Sequence, residues 1–153
     1  MTKQDLVIKI GLMLDGAEGF IFASKLCNKA VDTKEIRFDK IMSAQIMNIS
    51  FACEILLKAL LLGLNIVFKK KHKLNELFRL LPKELQERIN EKIYLRYGTT
   101  TSGCWVSLID INSNVFLDWR YSFEIEKLPL NCDYSFLAIF SDILKNEVEK
   151  LLK

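Results

Sequence analysis

Apolar residues recur along most of the chain at intervals of three and four, the period of one face of an α-helix. This pattern predicts helices over residues 4–31, 39–62, 73–81, 82–98 and 133–152. No alternation of strands and helices is visible, which argues against a doubly wound or barrel fold. The sequence therefore predicts an all-α fold, a bundle of four to five helices.

The second predicted helix is apolar on nearly every side, which is typical of a central helix packed by several neighbours. Gly63 is a natural stop at its C-terminal end. Its few polar residues fall on one stripe, and Glu54 precedes Lys58 by four residues, the favourable order for a helical ion pair. Two interpretations remain open. The pair lines a groove or a subunit contact, or it is an ordinary ion pair at the edge of the core.

Residues 99–118 show no regular period and are predicted to form one irregular loop before the last helix. The loop is either ordered by its own apolar side chains or functional. A short β-hairpin within it is a further alternative. The sequence pattern does not distinguish between these alternatives.

The composition is that of one globular domain, with 153 residues, half of them apolar, and a net charge of +3. We therefore treat residues 1–153 as a single domain. The charge is too small to indicate nucleic acid by itself. The apolar run over residues 55–68 contains Lys58 and Asn65 and is shorter than the roughly 20 residues of a membrane span. It is predicted to be a core helix, with no membrane involved.

The four cysteines stand alone in the sequence and form no C-x-x-C pair. The apolar N-terminal stretch is interrupted by Asp15 and Glu18, unlike a secretory signal. We therefore predict a cytoplasmic protein with buried, reduced thiols. The cysteines are Cys27, Cys53, Cys104 and Cys132.

A basic run follows the second helix and contains the only histidine of the chain, His72. Its four lysines are Lys69, Lys70, Lys71 and Lys73. Lysines grouped in this way can contact the phosphates of RNA, or they can simply keep a linker in water. His72 is either a general base or a structural residue that caps the short helix after it.

A third candidate segment combines aromatic and charged residues just before the last helix. Arg120 and Glu124 lie four residues apart. An arginine side chain commonly binds a phosphate or a carboxylate through two parallel hydrogen bonds. Trp119 and Tyr121 could stack on a base. The alternative is an Arg–Glu pair that holds the loop on the bundle. With a single histidine and no zinc, paired-carboxylate or nicotinamide marker, the sequence predicts no metal and no cofactor.

These segments together resemble a divergent branch of the HEPN superfamily. The resemblance rests on a helix with Ser50, Glu54 and Lys58, on the element from His72 to Leu77, and on a Trp-Arg-Tyr segment at Arg120. It implies an all-α bundle of four to five helices that usually dimerises. It also implies membership in a group that includes metal-independent ribonucleases. Such proteins occur in prokaryotic toxin–antitoxin, CRISPR-associated and phage-defence systems, often beside a nucleotidyltransferase partner.

Ribonucleases of that superfamily carry an arginine followed, after four to six residues, by a histidine. The arginine acts on the phosphate and the histidine on the RNA 2′-hydroxyl, with two sites meeting across the dimer. This chain departs from the pattern, because no histidine follows Arg120 and Glu124 stands near its place. The resemblance therefore makes Arg120, Glu124 and His72 the catalytic candidates of a homodimeric, RNA-handling protein. The alternative is a non-catalytic interaction module that buries a partner against helices 39–62 and 133–152.

Overall fold

The computed structural model describes residues 2–98, 104–120 and 131–153, and the side chains of residues 104–107 and 120 are not described. Within these ranges the chain forms seven α-helices and no strand. They are α1 (Lys3–Asp32), α2 (Phe38–Gly63), α3 (Leu74–Phe78), α4 (Lys83–Tyr97), α5 (Cys104–Ile111), α6 (Val115–Arg120) and α7 (Tyr134–Leu151). The predicted all-α fold is confirmed.

The long helix α1 packs against α2 along one face and leaves its opposite face in solvent. It begins at a capping box, in which Thr2 Oγ1 accepts a hydrogen bond from Asp5 N at 3.1 Å and Asp5 Oδ2 accepts one from Thr2 N at 2.9 Å. The buried face carries Ile10, Leu14, Ala17, Ser24 and Cys27. The outer face exposes Val7, Ile8, Phe22 and Leu26, and Leu12 is exposed at the border with α2.

Helix α2 is the centre of the bundle and contacts α1, α3, α6 and α7. In the described part of the chain it is the one helix long and apolar enough to cross a membrane, but most of its apolar stretch is buried by the neighbouring helices. That is the environment of a core helix in a soluble protein. Most apolar side chains of α2 are thus covered by the chain itself, and the partly buried ones, such as Phe51 and Ile55, lie at its border with α1.

Two glycines at predicted helix ends behave differently in the structure. Gly98 has φ 68° in the left-handed region and donates from its N–H to Tyr94 O at 3.1 Å, as is usual for a glycine at a helix C-terminus. Gly63 instead remains helical as the last residue of α2. A Cβ there would stand 2.6 Å from Leu151 Cδ1 and 3.3 Å from Ile10 Cδ1, so the absent side chain lets α7 and α1 approach.

The expected irregular loop over residues 99–118 is largely helical where the structure describes it. Helices α5 and α6 are joined by a turn at Asn112, whose buried side chain donates to Leu108 O at 2.8 Å and accepts from Asp133 N at 2.9 Å. The loop prediction is therefore wrong over residues 104–118. Helices of eight and six residues are too short to show a clear period in the sequence.

The last helix, α7, has nearly the bounds that its apolar period predicts. Asp133 is its N-cap, with Oδ1 accepting a hydrogen bond from Phe136 N at 2.9 Å. The apolar face of α7 is buried against α2 and α4. Its fully buried side chains are Phe136, Leu137, Phe140, Ile143, Leu144 and Val148.

Candidate functional site

A buried carboxylate lies at the centre of the candidate site. Glu54 is in the middle of α2, and its side chain is only 4% exposed. Its Oε1 accepts hydrogen bonds from Lys58 Nζ at 2.6 Å and from His72 Nδ1 at 2.9 Å. The ion pair between Glu54 and Lys58 is thus formed as their spacing indicated. The structure also brings His72, a separate candidate in the sequence, into contact with Glu54.

His72 reaches Glu54 because the chain turns back along α2 after that helix ends. Asn65 and Lys70 both adopt positive φ, 57° and 59°, and Lys71 N donates to Phe68 O at 3.2 Å to close a turn. Leu74 N then donates to Ser113 O at 3.2 Å, which fastens the start of α3. The loop is therefore held at both ends, and the position of His72 is fixed by it.

The two ring nitrogens of His72 lie in different environments. Nδ1 faces the buried carboxylate, and with the carboxylate as acceptor Nδ1 is the nitrogen that carries hydrogen. The side chain as a whole is 57% exposed, so the edge with Nε2 faces solvent. No described residue forms a hydrogen bond with Nε2. This arrangement leaves Nε2 free to accept a proton from a bound molecule.

The lysines around His72 form what we call the basic loop, residues 69–73. Lys69, Lys70 and Lys73 are exposed, whereas Lys71 is half-buried and pairs with Glu76 at 3.2 Å. Lys73 lies close enough to Asp118 to affect its ionisation: burial raises the pKa of Asp118, and the charge of Lys73 partly opposes that rise. The basic loop thus presents several cations to solvent beside the imidazole.

The third candidate segment is only partly described, and one of its residues is not where we expected it. Trp119 is 9% exposed and belongs to the core, because α6 directs it inward four residues after the buried Val115. The prediction that Trp119 stacks on RNA is therefore wrong. Arg120 ends α6, with its side chain outside the described part, and Tyr121 and Glu124 lie outside the described residues.

A cleft between α1 and α2 opens beside the carboxylate cluster, with a volume of about 370 Å³. Glu54 and Lys58 form part of its lining, so the cleft and the imidazole share the same carboxylate. Helix α1 contributes Lys9, Leu12 and Gly16. The sequence pattern does not indicate a functional role for these three residues. The signal that could have revealed them is a glycine within a long helix, where glycine is unfavourable.

The thiols that the structure describes are free cysteines without the features of a nucleophile. Cys27 and Cys53 are buried as predicted, and burial raises the pKa of both thiols. Cys132 is half-buried, and burial together with the neighbouring Asp133 raises its pKa to about 12. Among the described residues, no group of three or more His, Cys, Asp and Glu side chains is placed to hold a metal ion.

Comparison with known proteins identifies the family. The sequence profile of the HEPN domain matches residues 34–152. Comparison with curated proteins and with solved structures gave no significant match. The profile match covers α2 to α7, including Glu54, Lys58 and His72, and leaves the whole of α1 outside. Since the match spans well over half of the sequence, the chain belongs to the HEPN domain family.

Proposed function

We propose that this protein binds RNA through the basic loop and cleaves it without a metal ion, with His72 as the general base. The observation that carries the proposal is the hydrogen bond from His72 Nδ1 to the buried Glu54. It holds the imidazole in one orientation and keeps Nε2 available at the surface. A histidine oriented by a carboxylate is a recurring arrangement for proton transfer.

The reaction that suits such a site is attack by a ribose 2′-hydroxyl on the adjacent phosphodiester. The 2′-hydroxyl proton passes to His72 Nε2 as the bond from the 2′-oxygen to phosphorus forms. The bond from phosphorus to the 5′-oxygen then breaks, and that oxygen takes a proton from water. The products are a 2′,3′-cyclic phosphate and a 5′-hydroxyl end.

Cations near the imidazole would stabilise the charge that builds up on the phosphate during this reaction. Lys70 and Lys73 are exposed in the basic loop on either side of His72. Family membership adds Arg120 as a second phosphate ligand, because the superfamily ribonucleases use an arginine in that role. Glu124 is the alternative candidate for the general base, and substitution of His72 distinguishes between the two residues.

The first test is cleavage of total RNA in the presence of EDTA by the native protein and by His72→Gln. We expect cleavage with cyclic-phosphate ends by the native protein and at least a hundredfold less by His72→Gln. Lys40→Gln is the matched control, since Lys40 is exposed and about 21 Å along α2 from Glu54. Undiminished cleavage by His72→Gln would mean that Glu124, and not His72, is the general base. No cleavage by the native protein would reject catalysis.

A second test addresses RNA binding separately from catalysis. The double variant Lys70→Gln/Lys73→Gln should bind single-stranded RNA more weakly. Its binding should also depend less on salt. The slope of the logarithm of the binding constant against the logarithm of the salt concentration should become shallower by about 0.7 for each phosphate that the protein no longer neutralises. Lys29→Gln/Lys40→Gln removes the same charge from exposed positions elsewhere on the bundle and should leave binding unchanged. Equal affinities for both double variants would exclude the basic loop as the surface that binds RNA.

We also propose a setting and partners for this activity: a prokaryotic toxin–antitoxin or phage-defence system, a homodimer, and a nucleotidyltransferase-type or other defence protein. The support is membership in the HEPN domain family. Expression of the native chain in bacteria should then arrest growth, whereas His72→Gln should not. Growth arrest by both proteins would show that toxicity does not depend on the proposed base.

A second candidate function, a non-catalytic homodimeric interaction module, is favoured by the outer face of α1. Large apolar side chains there are exposed, among them Phe22 and Leu26, one helical turn apart. Exposed apolar side chains that lie side by side are typical of an interaction surface. Under this alternative, Phe22→Ser/Leu26→Ser would convert a dimer to a monomer in light-scattering measurements. A native protein that is monomeric at all accessible concentrations would contradict it.

A further inference from the structure

We propose that the cleft between α1 and α2 is a nucleobase-binding subsite next to His72. The proposal rests on the proposed function, because the base would belong to the RNA strand that the basic loop holds. It adds a binding element on α1, a helix that lies entirely outside the family match.

The walls of the cleft are apolar and include an aromatic ring. Leu12 and Met13 line it from α1, and Phe51 and Ile55 line it from α2. Phe51 is itself held between two rings, stacked on Phe116 at 4.9 Å and edge-on to Phe20 at 4.8 Å. Together these apolar side chains form a suitable surface for a flat, weakly polar heterocycle. The volume of about 370 Å³ lies in the range of small-ligand sites.

Charged groups at the cleft complement a nucleotide rather than a purely apolar ligand. Lys9 and Lys58 form part of the lining, and the exposed lysines of the basic loop lie beyond His72. A base in the cleft would thus have its phosphates near cations. Both described hydrogen bonds to Glu54 end on Oε1, so Oε2 has no partner among the described residues and can accept one from a base N–H.

Gly16 borders the cleft without a side chain. A Cβ at this position would meet no atom within 4 Å, so the α1 backbone borders the cleft directly. Glycine lowers helix propensity, and nothing in the packing of the described residues requires it here. Gly19 is also exposed, with nothing within 4 Å of its Cβ site, but it does not line the cleft. The same substitution at Gly16 and at Gly19 therefore changes helix propensity equally, but only the one at Gly16 adds a side chain to the cleft.

The experiment compares Gly16→Leu with Gly19→Leu. Each variant is titrated with a labelled single-stranded RNA and with the same strand lacking its bases. We expect native protein and Gly19→Leu to bind the complete RNA about tenfold more tightly than the abasic strand. Gly16→Leu should bind both strands with the affinity that native protein has for the abasic strand. Both leucine variants should unfold at or above the native temperature.

The other outcomes separate this proposal from the proposed function. If Gly16→Leu retains the preference for complete RNA, the cleft does not hold a base, while RNA binding by the basic loop stands. If native protein binds neither strand, the proposed function fails and the subsite fails with it. A change of oligomeric state in Gly16→Leu alone, without loss of the base preference, would assign the cleft to a second copy of the chain and overturn the nucleobase assignment.

Discussion

Lys58 Nζ lies 2.6 Å from Glu54 Oε1, one helical turn away on α2, and the two side chains are only 20% and 4% exposed. Both charges are largely removed from water, so each depends on the other for compensation. A pair of this kind adds little net stability, but the loss of one partner leaves the other charge buried and unpaired.

We therefore predict that Glu54→Ala lowers the free energy of unfolding by about 3 kcal/mol, because Lys58 loses its counter-ion. The double variant Glu54→Met/Lys58→Met should recover most of that loss, since no buried charge remains. His72→Gln should change stability by less than about 0.5 kcal/mol, because this side chain is mainly exposed. Urea unfolding of the four proteins measures all three values. A double variant as unstable as Glu54→Ala would show that an unpaired lysine is not the cause of the loss.

A second buried carboxylate predicts a pH dependence of stability. Glu147 in α7 is 2% exposed and accepts hydrogen bonds from Arg88 at 2.9 Å, Lys92 at 2.5 Å and Lys150 at 2.7 Å. Burial acts to raise the pKa of Glu147, but the hydrogen bonds from Lys150, Lys92 and Arg88 outweigh it and lower the pKa from its ordinary 4.5 to about 2. The carboxylate thus favours the folded state above the ordinary pKa, and this contribution is lost as the pH falls from about 4.5 to about 2.

Glu147→Gln should accordingly lower the free energy of unfolding at neutral pH by about 2 kcal/mol, a value reduced by the exposure of its three partners. The difference from the native protein should shrink progressively below pH 4.5. Urea unfolding of both proteins across this pH range measures the difference in their unfolding free energies. Glu91→Gln is the control, since Glu91 is exposed and forms no ion pair with a described residue. A difference that is independent of pH would show that Glu147 acts through packing alone.

The left-handed residue at the end of α4 gives a prediction about backbone conformation. Gly98 has φ 68°, where any side chain introduces strain. Gly98→Ala should lower the unfolding free energy by about 1 kcal/mol. Gly19→Ala, in the interior of α1, should raise it by up to about 1 kcal/mol. Thermal unfolding of both variants provides the comparison, and a shift of both in the same direction would be inconsistent with the assigned conformations.

The described thiols should react slowly in the folded protein. Burial raises the pKa of Cys53, which is fully buried, and that of Cys132 is raised to about 12, so little thiolate forms at neutral pH. We expect alkylation of both residues by iodoacetamide to be at least about a hundredfold slower in native protein than in guanidinium. Peptide mapping by mass spectrometry gives the rate at each cysteine. Rapid native labelling of Cys53 would mean that α2 separates from α7 in solution.

The long helices and the ion pair on α2 could be predicted because each depends on one local repeat. Glu54 and Lys58 are four residues apart on a helix, and that spacing alone brings them together. The contact between Glu54 and His72 depends instead on the path of the loop between α2 and α3. Asn65 and Lys70 turn this loop in left-handed conformations that the sequence does not mark with glycine.

The position of Trp119 could not be predicted for a related reason. An aromatic residue next to an arginine is compatible with either a surface or a core position, and only the packing of α6 on α2 decides between them. Helix α6 has six residues, fewer than two full turns, so no repeat indicates which side faces inward.

The packing of α7 over α2 also has a consequence for how the protein is made. About seventy residues separate the end of α2 from the start of α7, so the ribosome needs roughly 4 to 14 seconds to reach α7 after completing α2. During that interval the side of α2 that α7 later covers has no native partner. The nascent chain therefore exposes an unusually apolar helix and should be bound by chaperones until its last helix emerges.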